Sequence, residues 1–378
     1  MSDAFLEVAD RIGARLCRDA IWDGGRCNWV ADYGEKSAAV RALDPWLYSG
    51  TSGIALFLQR LYRATGEIVF RDTARAALDQ ALSQVQRYRS EGLYTGIAGV
   101  AYVAAEFDEL VPPHSAQSGS RENDLIAGRA GALVAALHRH FLDDAVGHGE
   151  MLLKAARQTG AGWSWPTIVD YALPGRPDLT GFAHGAAGIA WALLELWKST
   201  GEQKYRRAAE EGFQYEQSWF SAERGNWPDL RKYSSSYPVA AYSDMWCHGA
   251  AGIAFSRLRA AQLTGDVRYQ EQAELALQVV ERGLKNWGNG CICHGLFGSI
   301  DLLLFTNARE RITLAQDAAR EAVDRYPGHR LPWPCGNAGD RETPDLMLGV
   351  SGIGHTLLRL SNPSASPSPL MTIPCPSR

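Results

Sequence analysis

The chain has 378 residues, of which 46% are hydrophobic and 21% are charged, and its formal net charge is −4. This composition supplies ample apolar material for a buried core and excludes an intrinsically disordered chain. Acidic and basic residues are interspersed, so no nucleic-acid partner is expected, and no polybasic segment for anionic lipid is present.

The first segment, MSDAFLEVADRIGARLCRDA, predicts an amphipathic helix. Acidic residues interrupt its apolar ones, so it does not resemble a signal peptide. No apolar run approaches the length of a membrane span, so no membrane-spanning segment is expected. The seven cysteines are scattered along the chain. This odd number is not typical of a secreted disulfide framework, and we predict a cytoplasmic protein.

A Gly-x-x-Gly motif followed by apolar residues occurs seven times. The first glycines of the copies are Gly50, Gly96, Gly128, Gly185, Gly249, Gly295 and Gly349. Glycines three apart at a helix start allow close backbone approach, and the apolar run after them predicts a buried inner helix. Thr-Gly pairs at 65–66, 200–201 and 264–265 predict helix ends. The amphipathic segments after them predict half-exposed outer helices.

Seven such hairpins predict an all-α fold, an α/α toroid (two-layer barrel) that forms one domain over residues 1–378. An open solenoid would use similar units. Trp-, Pro- and Gly-rich stretches before and after copy four predict long loops over one mouth of the ring. The Pro- and Ser-rich tail, residues 362–378, is expected to be irregular, with 370–373 as a segment that could dock.

Three copies carry histidine directly before the first glycine, and two of these histidines follow a cysteine. Cys247, Cys293 and His294 would supply two thiolates and one imidazole, a Zn²⁺ ligand set that leaves a fourth position for water or substrate. A single Cys-His pair is a weak signal, because a buried cysteine is often only a small hydrophobe. Two pairs at equivalent repeat positions favour the metal.

The remaining cysteines are assigned to packing. Cys291 lies outside the repeat position that Cys247 and Cys293 share, although it is a competing ligand two residues before Cys293. The others have no ligand-type neighbours in the sequence and are predicted to be structural: Cys17, Cys27, Cys335 and Cys375.

Six segments carry a resemblance to a known family: GWSWP, TGFAHGAAGIAWALLEL, NWPDLR, WCHGAAGIA, CHGLFG and PDLMLGVSGIGHTLLRL. They resemble the cyclase domain of class II lanthipeptide synthetases, within the lanthionine synthetase C-like superfamily, from about Trp46 to Pro369. The resemblance implies an α/α toroid with zinc at its centre. It also implies a reaction in which a peptide cysteine thiol adds to dehydroalanine or dehydrobutyrine and closes a (methyl)lanthionine ring.

The reaction needs a thiolate, which zinc provides, and a proton donor for the α-carbon, a role suited to histidine. His184 matches the family's catalytic histidine, and His248, which follows a cysteine ligand, is the second candidate. Asp124 matches the family's central aspartate and would orient His184, although a helix N-cap is the alternative reading. Class I cyclases carry an arginine where this chain has Ser243, so the full class I mechanism does not transfer directly.

Class II synthetases also contain a dehydratase domain, which this sequence lacks. If the chain is complete, dehydration takes place in trans or the substrate arrives dehydrated, and the expected partners are a dehydrated precursor peptide and a separate dehydratase. Two alternatives remain within the family: glutathione addition to dehydroamino acids, and a noncatalytic zinc-containing peptide-binding module. A glycoside-processing α/α barrel would need two opposed carboxylates at a mouth. Asp229, Asp244 and Asp345 lie in predicted loops near that rim, but nothing in the sequence pairs them, so this class is not favoured.

Four further histidines lie outside the repeat-equivalent positions and are predicted to be surface or helix residues: His138, His140, His329 and His355.

Overall fold

The structure is a computed structural model. It describes residues 2–32, 40–85, 87–88, 90–111, 122–166, 176–233, 240–326, 331–337, 341–363 and 366–372. Within these ranges the regular structure is almost entirely helical, and each strand has only two or three residues. The all-α prediction is therefore confirmed. No helix in these ranges is both long and apolar enough to cross a bilayer, and a cytoplasmic location stays a prediction.

The described part of the chain contains thirteen helices. Their bounds are α1 (Ser2–Asp19), α2 (Thr51–Thr65), α3 (Ile68–Val85), α4 (Ile97–Ala105), α5 (Arg129–His138), α6 (Leu142–Ala155), α7 (Ala186–Thr200), α8 (Gln203–Ser218), α9 (Ala250–Thr264), α10 (Val267–Gly283), α11 (Leu296–Phe305), α12 (Arg309–Arg325) and α13 (Val350–Ser361).

Eight short strands form four antiparallel pairs. They are β1 (Ile21–Asp23) with β2 (Arg26–Asn28), β3 (Val30–Ala31) with β4 (Arg41–Ala42), β5 (Arg157–Thr159) with β6 (Gly162–Ser164), and β7 (Pro228–Asp229) with β8 (Ala241–Tyr242).

Seven inner helices begin at the residue after the first glycine of a repeat: α2, α4, α5, α7, α9, α11 and α13. In each copy the N–H of the first helical residue donates to the carbonyl seven residues earlier, at 2.8 to 3.1 Å. We call each intervening loop a glycine turn. The turns are residues 44–50, 90–96, 122–128, 179–185, 243–249, 289–295 and 343–349. The glycine pairs therefore mark helix starts, as predicted.

The second glycine lies against the turn that precedes it in six repeats, at Gly53, Gly131, Gly188, Gly252, Gly298 and Gly352. A Cβ at Gly188 would lie 2.0 Å from the carbonyl oxygen of Phe182, and a Cβ at Gly252 would lie 2.1 Å from that of Trp246. Neither contact is sterically possible, so these positions require glycine.

The Thr-Gly pairs end α2, α7 and α9, as predicted. Gly66, Gly201 and Gly265 have φ values of 77°, 75° and 72°, and each N–H donates to the carbonyl four residues earlier. Glycine favours this left-handed conformation because it has no Cβ.

The chain divides into two compact units. Unit 1 comprises residues 1–88, 99–111 and 284–371, and unit 2 comprises residues 89–98, 112–283 and 372–378. The assignment of 1–378 to one domain stays a prediction.

In unit 1 the inner helix α13 packs against α2 and α11. Helix α3 covers α2, α12 covers α11, and α1 covers α13. The outer helix of the seventh repeat therefore comes from the start of the chain, because no further helix follows α13 in the described residues.

In unit 2 the inner helix α7 packs against α5 and α9, and α6, α8 and α10 cover the three inner helices. The buried ion pair between Arg257 and Glu216, with N···O 3.0 Å and both side chains 0% exposed, links α9 to α8.

Residues 112–121, which follow the inner helix α4, lie outside the described ranges.

Two hairpins attach to outer helices in the same way. The β1–β2 hairpin precedes Trp29, whose indole N–H donates to the carbonyl of Leu16 in α1 at 2.9 Å. The β5–β6 hairpin precedes Trp165, whose indole N–H donates to Leu152 in α6 at 2.8 Å. Both tryptophans are buried, so each hairpin is fixed to the helix before it.

The end of the described chain packs on unit 1 without forming a helix or strand. Leu370 and Met371 are buried, and Arg60 Nη1 donates to the carbonyl of Pro367 at 2.8 Å. Residues 373–378 lie outside the described ranges.

Candidate active site

The candidate residues occupy the last positions of the glycine turns. His184, His248 and His294 directly precede a first glycine, and Cys247 and Cys293 lie one residue earlier. Because the backbone of the turn is held by its own hydrogen bonds, these side chains are available for chemistry.

Asp124 and His184 form a close pair in unit 2. Their turns are neighbours, since Leu125 N–H donates to the carbonyl of Ala183 at 3.1 Å. Asp124 Oδ2 lies 2.6 Å from His184 Nδ1, and Asp124 is only 1% exposed. A carboxylate can only accept here, so Nδ1 carries the proton and Nε2 lies on the far side of the ring from Asp124.

Asp124 also stabilises its own turn, because its Oδ1 accepts the N–H of Ala127 at 2.9 Å. The equivalent residue of the last repeat, Asp345, accepts the N–H of Leu348 at 2.8 Å. In the sixth repeat the equivalent residue is Cys291, whose sulfur accepts the N–H of His294 at 3.3 Å. Cys291 thus has a structural role in its turn. The alternative interpretation of Asp124 as a helix N-cap is wrong, because Gly128 is the N-cap of α5 and no side chain caps this helix. The oxygen that accepts from Ala127 stabilises the turn, and the other oxygen pairs with His184.

His248 stacks on His184, with ring centroids 5.2 Å apart and planes 16° from parallel. It is 4% exposed, and its Nδ1 is buried without a hydrogen-bond partner in the described part of the chain. Burial, together with the positive charges of Arg231 and His184, lowers the pKa of His248 to about 3 against the opposing effect of Asp229. His248 is therefore neutral at physiological pH.

Ser243 has a structural role in the turn before α9. Its hydroxyl donates to the carbonyl of His248 at 2.8 Å, and its own carbonyl accepts the N–H of Ala250 at 3.0 Å. The positive charge that acts on His248 comes instead from Arg231, whose guanidinium is held by both carboxylate oxygens of Asp229.

Cys247, Cys293 and His294 form a group that could hold a metal ion, because their ligand atoms all lie within 4.8 Å of one another. Tetrahedral zinc with the usual bond lengths would place these atoms about 3.5 to 3.8 Å apart. His294 Nε2 lies 3.1 Å from the carbonyl oxygen of Gly336. A carbonyl only accepts, so Nε2 carries the proton and Nδ1 is the nitrogen left for a metal, an arrangement common among metal-binding histidines. The donor set fits zinc.

Tyr48 is a neighbour of this group that the sequence reasoning missed. Its hydroxyl donates to Cys293 Sγ at 3.0 Å. The sequence did carry a signal for Tyr48, because this residue occupies the same repeat position as Cys247 and Cys293, two residues before the first glycine.

The family model of the lanthionine synthetase C-like protein matches residues 41–373. The chain belongs to the lanthionine synthetase C-like family. The family resemblance in the sequence motifs is thereby confirmed.

Three comparisons place this lanthionine synthetase C-like chain among known proteins. It is 25% identical to the lacticin 481/lactococcin biosynthesis protein LcnDR2 of Lactococcus lactis subsp. lactis over 356 residues, which cover 84% of the chain but only 36% of that protein. It is 25% identical to the glutathione S-transferase LANCL1 of Danio rerio over 285 residues, 67% of each. The solved structure of nisin cyclase matches with a TM-score of 0.67 and 16% identity, covering 94% of this chain and 93% of that one. This last match confirms the α/α-toroid fold class.

The remaining histidines of the lanthionine synthetase C-like chain lie away from the turns. His355 is fully buried in α13, where its Nε2 lies 2.9 Å from Arg60 Nη1, so it is a core residue of a helix. Burial lowers its pKa well below the usual value. His138 ends α5, and His140 adopts φ 61° after it. His329 lies outside the described ranges.

The six described cysteines are free thiols. Cys27 donates to the carbonyl of Thr73 at 3.5 Å and is buried, and Cys335 accepts the N–H of Thr343 at 3.5 Å. Cys17 contacts the carbonyl of Val69. These contacts agree with structural roles, and Cys375 lies outside the described ranges.

Two of the three loop carboxylates, those of Asp229 and Asp345, serve local structure, and Asp244 contributes its backbone carbonyl. Asp229 binds Arg231, and Asp345 caps its own turn. The carbonyl of Asp244 accepts the N–H of Ala251 at 3.2 Å. These contacts do not favour the glycoside-processing interpretation.

Proposed function

We propose that the chain is a zinc-dependent peptide cyclase. It would add cysteine thiols of a dehydrated precursor peptide to dehydroalanine or dehydrobutyrine in the same peptide, forming (methyl)lanthionine thioether rings. The observation that carries the proposal is the group of Cys247, Cys293 and His294, whose ligand atoms lie within 4.8 Å of one another. Membership of the lanthionine synthetase C-like family supports it.

The ligand set suits thiol chemistry. Two thiolates and one imidazole leave a fourth zinc position for an incoming sulfur. Bound zinc would convert the substrate thiol, whose free pKa is about 8.5, to a thiolate at neutral pH. Thiolate is the nucleophilic form of sulfur.

The addition forms one C–S bond at the β-carbon and one C–H bond at the α-carbon, while the Cα=Cβ π bond and the S–H bond of the thiol are broken. We assign delivery of the α-proton to His184, because Asp124 holds its Nδ1 and directs its Nε2 away from the carboxylate. His248 is the weaker candidate, since burial keeps it neutral. Its stacked ring would instead fix the plane of His184.

A peptide precursor is supported by the name of LcnDR2, a lacticin 481/lactococcin biosynthesis protein. Dehydration of serine and threonine calls for a different chemistry from that of the thiol site. We therefore propose that a dehydratase acting in trans supplies the substrate.

The test is conversion of a dehydrated precursor, followed by alkylation of unreacted cysteines and mass spectrometry, with metal analysis of the same protein samples. The wild type should contain about one zinc per chain and protect the cysteines from alkylation. Cys293→Ala should lose both properties. Cys27→Ala, a buried cysteine bonded to Thr73, should keep both, and Cys291→Ala should keep the metal. If the precursor cysteines remain as reactive to alkylation with the wild-type protein as without it, the cyclase proposal is refuted.

Glutathione addition is a second candidate, favoured by the 25% identity to LANCL1, a glutathione S-transferase. Glutathione supplied in the same assay distinguishes the two, because an adduct heavier by one glutathione would replace the ring. A noncatalytic module would be indicated if Cys247→Ala supported normal product formation.

A further inference from the structure

In unit 1 the hydroxyl of Tyr48, in the glycine turn 44–50, contacts the sulfur of Cys293, in the glycine turn 289–295. Met347 N–H donates to the carbonyl of Tyr48 at 2.9 Å, and Cys293 N–H donates to the carbonyl of Met347 at 3.1 Å. The three turns therefore lie side by side, with Met347 in the middle. The Tyr48 side chain spans this middle turn and places its oxygen 3.0 Å from Cys293 Sγ.

The sulfur needs such a partner. Cys293 is 2% exposed, so water can do little to stabilise charge on its sulfur, and a buried charge is costly without a hydrogen bond or counter-charge. A thiolate can only accept, so the phenol must be the donor. A hydrogen bond to a charged acceptor is stronger than one between neutral groups.

We propose that Tyr48 is a positioning residue of the metal group. Its O–H fixes the direction of the Cys293 sulfur and takes up part of the negative charge of the thiolate. Partners of metal ligands typically set metal affinity in this way. The inference rests on the metal group of the proposed function but goes beyond it, because it assigns a role to a repeat that carries neither cysteine nor histidine in its turn.

The experiment compares Tyr48→Phe with the wild type, and uses Tyr62→Phe as the matched control at the far end of α2. Tyr62 is half-buried there, beside Arg71. Zn²⁺ affinity is measured by competition with a chromophoric chelator at fixed pH. Tyr48→Phe should bind Zn²⁺ about tenfold more weakly, and Tyr62→Phe should equal the wild type.

The second readout is the sulfur-to-cobalt charge-transfer band of the Co²⁺-loaded protein. A hydrogen bond lowers the energy of the sulfur lone pairs, so its loss in Tyr48→Phe should move the band to lower energy. Fluorotyrosine at position 48 keeps the ring and strengthens the donor, so it should move the band the other way at a pH where the phenol is protonated. This variant tests the idea even if Tyr48→Phe folds poorly.

Unchanged Zn²⁺ affinity and an unchanged band in Tyr48→Phe, with a wild type that binds metal, would overturn this inference alone. A wild type that binds neither Zn²⁺ nor Co²⁺ would overturn the proposed function together with it.

Discussion

Replacing Asp124 with asparagine separates the two tasks of this buried side chain. One oxygen accepts the N–H of Ala127 at 2.9 Å, and the other accepts from His184 Nδ1 at 2.6 Å. Asparagine has the same shape but only one accepting oxygen. It can satisfy the turn or the histidine, but not both.

The size of the effect depends on which of the two partners the asparagine oxygen keeps. If the amide oxygen keeps the turn, the NH₂ group faces Nδ1, which must then lose its proton, and His184 becomes a neutral ring that donates from Nε2. Such a ring is a far weaker acid, and loss of general acid catalysis costs about 10²- to 10⁴-fold in rate. If the oxygen instead faces His184, the N–H of Ala127 loses its partner at a cost of about 1 to 3 kcal/mol in unfolding free energy. We expect the first outcome, with a rate decrease of about 100-fold.

The assay is single-turnover cyclisation of a dehydrated precursor, with zinc content and urea unfolding measured on the same samples. Asp345→Asn is the matched control, because Asp345 makes the same turn hydrogen bond in a repeat with leucine in place of the histidine. Its rate should stay within about threefold of the wild type, or ~0.6 kcal/mol. The reasoning is wrong if Asp124→Asn cyclises as fast as Asp345→Asn while both keep their zinc.

Three other predictions concern stability and are measured by urea unfolding. Burial lowers the pKa of His148 to about 4 from 6.5, so the unfolded chain takes up the proton first, and about 3 kcal/mol of stability should be lost as the pH falls from 6.5 to 4. His148→Gln should abolish this loss of stability at low pH. A His148→Gln protein whose stability falls with pH as it does in the wild type would contradict the assignment of the loss to His148. Burial raises the pKa of Glu106, but pairing with Arg60 dominates and lowers it to about 2. Because Arg60 is buried, Glu106→Gln should cost about 3 kcal/mol at pH 7, and a cost below ~1 kcal/mol would show that the pair is dispensable. Gly188→Ala, which places a Cβ against a carbonyl oxygen, should cost more than about 3 kcal/mol, whereas Gly160→Ala, at a position with open space, should stay within about 0.5 kcal/mol.

The repeated local signals predicted the inner layer. A first glycine begins each inner helix, and left-handed glycines such as Gly66 end three of them, because both features depend on backbone geometry within a few residues. The pairing of α13 with α1 could not be read in this way. It joins the two ends of the chain, and only the packing of the apolar faces decides it.

The candidate site was predictable as a set of residue types and only partly as a set of contacts. The offsets of Cys247, Cys293 and His294 from their glycines suggested that they meet, and their ligand atoms do lie close together. The role of Cys291 in its turn was hidden, because a thiol replaces the aspartate that other repeats use. The positive charge of Arg231 acting on His248 depends on a loop whose course the sequence does not specify.

One physical feature explains how a single repeat supports such different side chains. Each glycine turn is closed by a backbone hydrogen bond from the first helical residue to the carbonyl seven residues earlier, and in six repeats the second glycine fits against the turn without a side chain. Neither interaction involves the side chains one and two residues before the first glycine. Those two positions can therefore carry Ala183 and His184, Cys247 and His248, or Tyr48 and a serine without a change in the turn. The stability of the turn and the chemistry of the site depend on different atoms, so a repeat can gain or lose a ligand while the helix start stays in place.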